Sequence, residues 1–159
     1  MNALQRRQLL LAAPALWAWP AARAHHGWSS FDQTRPLWLE GRAQKVSWKN
    51  PHAELQLELA ATPALPADLA TRALPAQTAP VDGKALLAAT RLPRRGDRLW
   101  QIELAPLTRL QAWGVPEITA GQALAVLGFG FADEKGDAVL RAEYLWLAGK
   151  AYGLRSSPA

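Results

Sequence analysis

The sequence predicts a mainly β fold, a small OB-like β-barrel of five to six strands with one short helix between strands 3 and 4. Three observations predict it. Segments of alternating apolar and polar residues recur along the chain. The first is long and switches its apolar parity midway, which a strand does only by bending or bulging. A helical spacing of apolar residues falls between the third and fourth segments. Closing such strands into a barrel removes their exposed edges. An open β-sandwich is the alternative, with few strands to build it.

Residues 1–24 read as a signal peptide. Arg6 and Arg7 form a positive start, Leu9 to Trp19 an apolar stretch, and Ala22-Arg23-Ala24 an A-x-A cleavage site. The apolar stretch falls short of the roughly 20 residues that a membrane-spanning helix needs. Arg6-Arg7-Gln8-Leu9-Leu10 resembles a twin-arginine signal, and a plain Sec signal fits equally. Either route leads to the bacterial periplasm or outside the cell. Cleavage near Ala24 leaves a mature chain starting at His25, with no further apolar run long enough to span a membrane.

Residues 25–35 form an N-terminal segment, and residues 36–155 a single domain. Its first strand runs from Leu37 to Trp48. Leu37 and Leu39 are odd and Val46 and Trp48 even, so a bulge or sharp bend is expected near Gly41. Asn50-Pro51 turns the chain. From His52 to Leu59 the alternation is strict, with Ala53, Leu55, Leu57 and Leu59 inward and His52, Glu54, Gln56 and Glu58 outward. Residues 60–95 are rich in Ala, Pro and Thr and read as a mobile insert, with a turn at Val81–Lys84. Arg91, Arg94, Arg95 and Arg98 around Gly96 read as a solvated loop or, more sharply, a contact for an acidic partner or anionic lipid.

Trp100 to Leu104 is the third strand. Pro106 suits a first helical position and Gly114 a C-terminal cap, and Leu107, Leu110 and Trp113 share one face of the helix between them. Ala123 to Phe131 is a strand apolar on both faces. Asp133–Asp137 is a hairpin loop, Val139–Leu147 the next strand, and Ala151–Leu154 a short last one.

Composition narrows the function. A chain of 159 residues, half of them apolar, holds one core. Cys is absent and the one Met is Met1, so disulfides, thiolate metal sites and thiol catalysis are excluded. Formal charge is +5, but three of the 18 basic residues precede position 25 and all 13 acidic residues follow it. The mature chain is therefore nearly neutral, and nucleic acid is not an expected partner. No nucleophile elbow, zinc-protease motif, dinucleotide fingerprint or phosphate loop is present.

Three histidines remain: His25, His26 and His52. An N-terminal histidine offers an α-amine and an imidazole from one residue. With a further imidazole this gives the nitrogen-rich set that Cu(II) favours. Zinc on the imidazoles with a carboxylate such as Asp32 or Glu54 is the competing metal. The plain alternative is a polar tail at His25-His26 and a turn hydrogen bond at His52. Trp100, Trp113 and Trp146 are assigned to the core. Trp28, Trp38 and Trp48 are assigned to an aromatic binding surface or cleft, because Trp38 opposes the parity of Leu37 and Leu39.

His25-His26-Gly27-Trp28-Ser29, Phe31-Asp32 and Trp48-Lys49-Asn50-Pro51-His52 together resemble an uncharacterised family of small exported bacterial proteins, called domain of unknown function sixty-one fifty-two. Its members follow the signal peptide with His-His, then a Phe-Asp stretch, a strand and a Trp-x-Asn-Pro-His motif. The run from Trp100 to Arg155 is also similar. Gly27-Trp28 replaces the Ser-Phe pair that commonly follows the His-His. The resemblance implies export and supplies no activity. The residues point to a periplasmic binding or accessory module, with copper or zinc on the histidines and a small ligand or a larger exported protein as partner. A small copper-dependent redox enzyme using the N-terminal histidine chelate is the alternative.

Overall fold

The computed structural model describes residues 27–159. The expected signal peptide, His25 and His26 lie outside the described residues. Six strands form one sheet: β1 Pro36–Ser47, β2 Glu54–Leu59, β3 Leu99–Glu103, β4 Ala123–Phe129, β5 Val139–Leu147 and β6 Lys150–Gly153. Their order is β3-β2-β1-β4-β5-β6, and β3 also pairs in parallel with β5, which closes the first five into a barrel. Among the described residues two α-helices accompany them, α1 Gly83–Ala89 and α2 Leu107–Ala112, the latter between β3 and β4 as predicted. The barrel interior holds Leu37, Leu39, Leu55, Leu57, Trp100, Ile102, Leu140 and Leu145, all at most 1% exposed. No helix among the described residues is long and apolar enough to cross a membrane.

The parity switch of β1 has a definite place. Leu37, Leu39 and Ala43 are buried in the barrel, then the register against β2 slips between Ala43 and Val46. After the slip Val46 and Trp48 pack against the same core. The irregularity thus lies at Gln44-Lys45, a few residues beyond the expected position. Gly41 does something else. It pairs with both Leu59 and Leu124, at the point where β1 passes from one neighbour to the other.

The insert departs from expectation. A 3-10 turn at Leu69–Thr71 and helix α1 stand where a mobile stretch was expected. Asp82 caps α1, its carboxylate accepting from the Ala85 N–H at 3.0 Å. Leu69 and Leu87 are buried, and Leu74, Val81, Leu86 and Leu92 pack beside them. Their partners are Trp38, Ala125, Leu127, Tyr144 and Trp146 on the barrel's outer wall. These apolar residues are too widely spaced to show a period, yet they join one cluster with apolar positions of β1, β4 and β5. The C-terminal tail straps the insert down: Thr78 N–H donates to Ser157 O at 3.0 Å, and Ala79 N–H to the Ser156 hydroxyl at 2.8 Å.

Much of the basic cluster is also held within the fold. Glu134 accepts from the backbone N–H groups of Arg94 and Arg95 and pairs with Arg35. The Arg95 guanidinium reaches Glu134 O, Gly136 O and Asp97, while Arg91 and Arg98 bond nearby carbonyls. Backbone and side chains here clasp the end of the insert to the β4–β5 loop.

Candidate functional site

One end of the barrel holds Trp28, His52 and Glu54 of the residues singled out in the sequence. There β2 begins, β3 ends and β5 starts, with Glu54 opposite Glu103 and Glu103 opposite Arg141. His52 lies two residues before Glu54. Hydrogen bonds between Ala53 and both Leu104 and Ala105 extend the pairing to that point. Strand alternation then puts His52 on the outward face with Glu54. The Asn50–Pro51 bond before it is cis.

Charge on this face is confined. Arg141 Nη1 donates to Glu103 Oε2 at 3.3 Å, and both side chains are 7% exposed. Glu54 Oε2 accepts from Gln101 Nε2 at 2.9 Å. The Trp28 ring lies over the Arg141 guanidinium, 5.2 Å from its carbon, and its edge meets Phe129. Three residues on, Phe31 is buried and stacked on Phe131 at 5.2 Å. Asp32 N–H donates to Gly130 O, and the Asp32 carboxylate is engaged by the Thr34 N–H and hydroxyl. The segment Trp28–Asp32 is therefore seated across the end of the barrel.

Behind Trp28 is a second charged group that sequence reading missed. Glu143 is fully buried. It accepts from Arg155 Nε at 2.7 Å and from Gln77 Nε2 at 3.1 Å. Arg155 also donates to Gln33 Oε1 at 2.9 Å. One guanidinium thus joins the N-terminal segment, β5 and, through Gln77, the insert. Burial raises the Glu143 carboxyl above the usual glutamate range, against the opposing pull of Arg155, Gln77 and Arg109. Burial likewise lowers the Arg109 guanidinium, with repulsion from Arg141 adding to it. The only sequence signal for this group was charge at strand positions flanked by Leu140, Ala142 and Leu145.

The three tryptophans assigned to an aromatic surface sit in three different packed groups. Trp28 joins Phe31 and Phe129, Trp38 lies under the insert, and Trp48 packs on the barrel core. Trp100 is in the core as expected, and the Trp113 indole N–H donates to Ser156 O at 2.8 Å. Trp146 is on the outer wall beside Trp38, ring centroids 5.0 Å apart, rather than in the barrel interior.

The Glu103 carboxylate is taken up by Arg141; the metal-binding residue types near this end of the barrel are the imidazole of His52 and the carboxylate of Glu54. That chemistry suits zinc or Cu(II) and offers nothing to a metal that requires sulfur. Among the described residues no group of three or more His, Asp or Glu is arranged to hold a metal ion. His25 and His26, the other proposed ligands, lie outside them.

Residues 15–67 match the model of a family described as a family of unknown function (DUF6152). The matched third of the chain contains His25-His26, Phe31-Asp32 and Trp48–His52, on which the resemblance was read. The similar run from Trp100 to Arg155 lies beyond it. No curated protein and no solved structure matches the chain.

Proposed function

We propose that this chain is exported, is processed to begin at His25, and serves in the periplasm as a small binding or accessory module. It holds copper or zinc through His25, His26 and His52. The observation that supports the reading is the seat of Trp28. Its ring rests on Arg141, which bonds Glu103, which lies opposite Glu54 on the strand that His52 introduces. His26 precedes Trp28 by two residues, a reach of about 7 Å. The proposal requires the terminus that precedes Trp28 to run toward the His52 face. His25 supplies amine and imidazole, His26 and His52 supply imidazoles, and Glu54 is the nearest carboxylate in sequence to His52.

Two measurements test this. Intact mass of protein recovered from the periplasm is expected to give a chain starting at His25. Cu(II) titration of that protein is expected to show tight binding, weakened about tenfold or more in His52→Ala. Acetylation of the N-terminal amine removes the amine–imidazole chelate of His25 and should weaken copper more than zinc. Binding indifferent to His52→Ala would reduce the site to a chelating tail and overturn the proposal.

A further inference from the structure

We infer that a groove on the opposite wall from the barrel core is a binding site for a neutral, polyhydroxylated ligand such as a linear oligosaccharide. It shares none of the residues proposed to hold the metal. The groove encloses about 1020 Å³, between the outer face of β1, β4, β5 and β6 and the insert. A pocket for a small organic ligand is typically about 300–1,000 Å³.

Three features of its lining fix the class of ligand. The floor is small, built from Ala123, Ala125, Gly149 and Ala151 beside Trp146, so no bulky side chain fills it. Trp146 is half-buried there. Its ring is shared with Trp38 and the Arg72 guanidinium, and it adds apolar area beside the small floor, against which the C–H face of a sugar can pack. The rim carries Arg42, Arg72 and Arg98, and also Glu40, Glu58 and Asp68. Three cations and three anions cancel, so neither an anionic nor a cationic ligand is favoured overall. Together they offer donors and acceptors to a ligand with many hydroxyls, each of which donates and accepts.

The rim guanidiniums are preorganised. Arg72 is held by Asp68 through two bonds, at 3.2 and 3.1 Å, and lies over the rings of Trp38 and Trp146 at 5.3 and 5.9 Å. Arg42 Nη1 donates to Gly121 O at 2.9 Å, and Arg98 Nη2 to Leu59 O at 3.2 Å. A guanidinium has five N–H donors, so each keeps others for a ligand. An extended peptide is the less favoured occupant. The strands of the floor pair with one another, β1 with β4, β4 with β5 and β5 with β6. The floor therefore presents side chains and not the free backbone ladder by which an added strand is recognised.

Calorimetric titration of the protein with four probes tests the assignment. The probes are a hexamer of β-1,4-linked N-acetylglucosamine, a hexamer of α-1,4-linked glucose, a sulfated hexasaccharide and an uncharged Ala/Ser hexapeptide. Saturable binding of at least one neutral sugar is expected, with the sulfated sugar weaker and the peptide inert. Ala123→Trp fills the groove from an exposed position without removing any packed side chain, and should weaken binding about tenfold or more. Arg42→Ala should weaken it with the fold unchanged by circular dichroism. No binding of either neutral sugar, tighter binding of the sulfated sugar or the peptide, or binding untouched by Ala123→Trp would overturn the inference.

Discussion

The Arg155 guanidinium carbon lies 3.7 Å from the centroid of the Trp28 ring while its Nε donates to the buried Glu143 carboxylate. One cation therefore serves two partners of different kinds, an aromatic face and a carboxylate. It fastens the N-terminal segment to the barrel wall and neutralises a charge that the wall could not otherwise hold.

Arg155→Ala removes both partners at once. At neutral pH it leaves Glu143 buried with the Gln77 hydrogen bond and only the more distant charge of Arg109, and the expected loss of stability is about 3 kcal/mol. Urea unfolding measures it. The loss should shrink in acid, where Glu143 takes a proton and needs no counter-charge. A loss under about 1 kcal/mol would place the pair with ordinary surface ion pairs and count against its anchoring role.

Glu143 also predicts a pH dependence with a definite sign. Burial raises its folded carboxyl above the value of an unfolded glutamate, about 4.3. Between those values the folded state binds more protons than the unfolded one. Its contribution is present in full below about pH 4.3 and is lost as pH rises through the raised folded value. Glu143→Gln cannot titrate. Its stability relative to the parent protein should increase as pH rises across that window, read from urea unfolding at several pH values. A constant gap would show that Arg155, Gln77 and Arg109 balance burial, and a gap that moves the other way that they outweigh it.

The insert predicts a coupled stability effect. Leu87 is 3% exposed and Leu69 4%, both against the outer wall. Leu87→Ala should cost about 2–5 kcal/mol, as for a core leucine. Deleting residues 62–80 removes Leu69 and Leu74 from the cluster that holds Trp38 and Trp146, with Arg72 from over their rings, and should lower the denaturation midpoint and shift tryptophan emission to the red. An unchanged midpoint would return the insert to the status of a loosely attached loop.

The strands were legible because their inward residues alternate, as in Leu55, Leu57 and Leu59. The outer position of Trp38 was legible from its parity against Leu37 and Leu39. That the outer wall is covered was legible only indirectly: Ala123–Phe131 is apolar on both faces, and a strand so patterned needs burial on both sides. The covering residues, Leu69, Leu74 and Leu87, carry no period because they belong to turns and one short helix. At the candidate site, the outward face of His52 and Glu54 followed from alternation. The contacts of Trp28 with Arg141 and Arg155 did not, since they join positions more than a hundred residues apart and follow no local pattern.

Gly41 offers the sharpest test of the barrel's geometry. It sits where β1 leaves β4 for β2 and pairs with both Leu59 and Leu124. A Cβ atom placed there would lie 2.0 Å from the Glu58 carbonyl oxygen and 3.0 Å from the Leu59 α-carbon. Both atoms are backbone, so no side chain can turn aside, and relief requires β2 to move away from β1. That movement would break ladder hydrogen bonds of the same pair and loosen the wall between barrel and groove. Gly41→Ala is therefore expected to cost at least the roughly 1–3 kcal/mol of ordinary overpacking. Gly96→Ala serves as the comparison, because a Cβ there meets nothing within 4 Å. It should leave the urea midpoint nearly unchanged. If Gly41→Ala unfolds at the same urea concentration as Gly96→Ala, the close approach of β1 and β2 at this point is not a constraint on the fold.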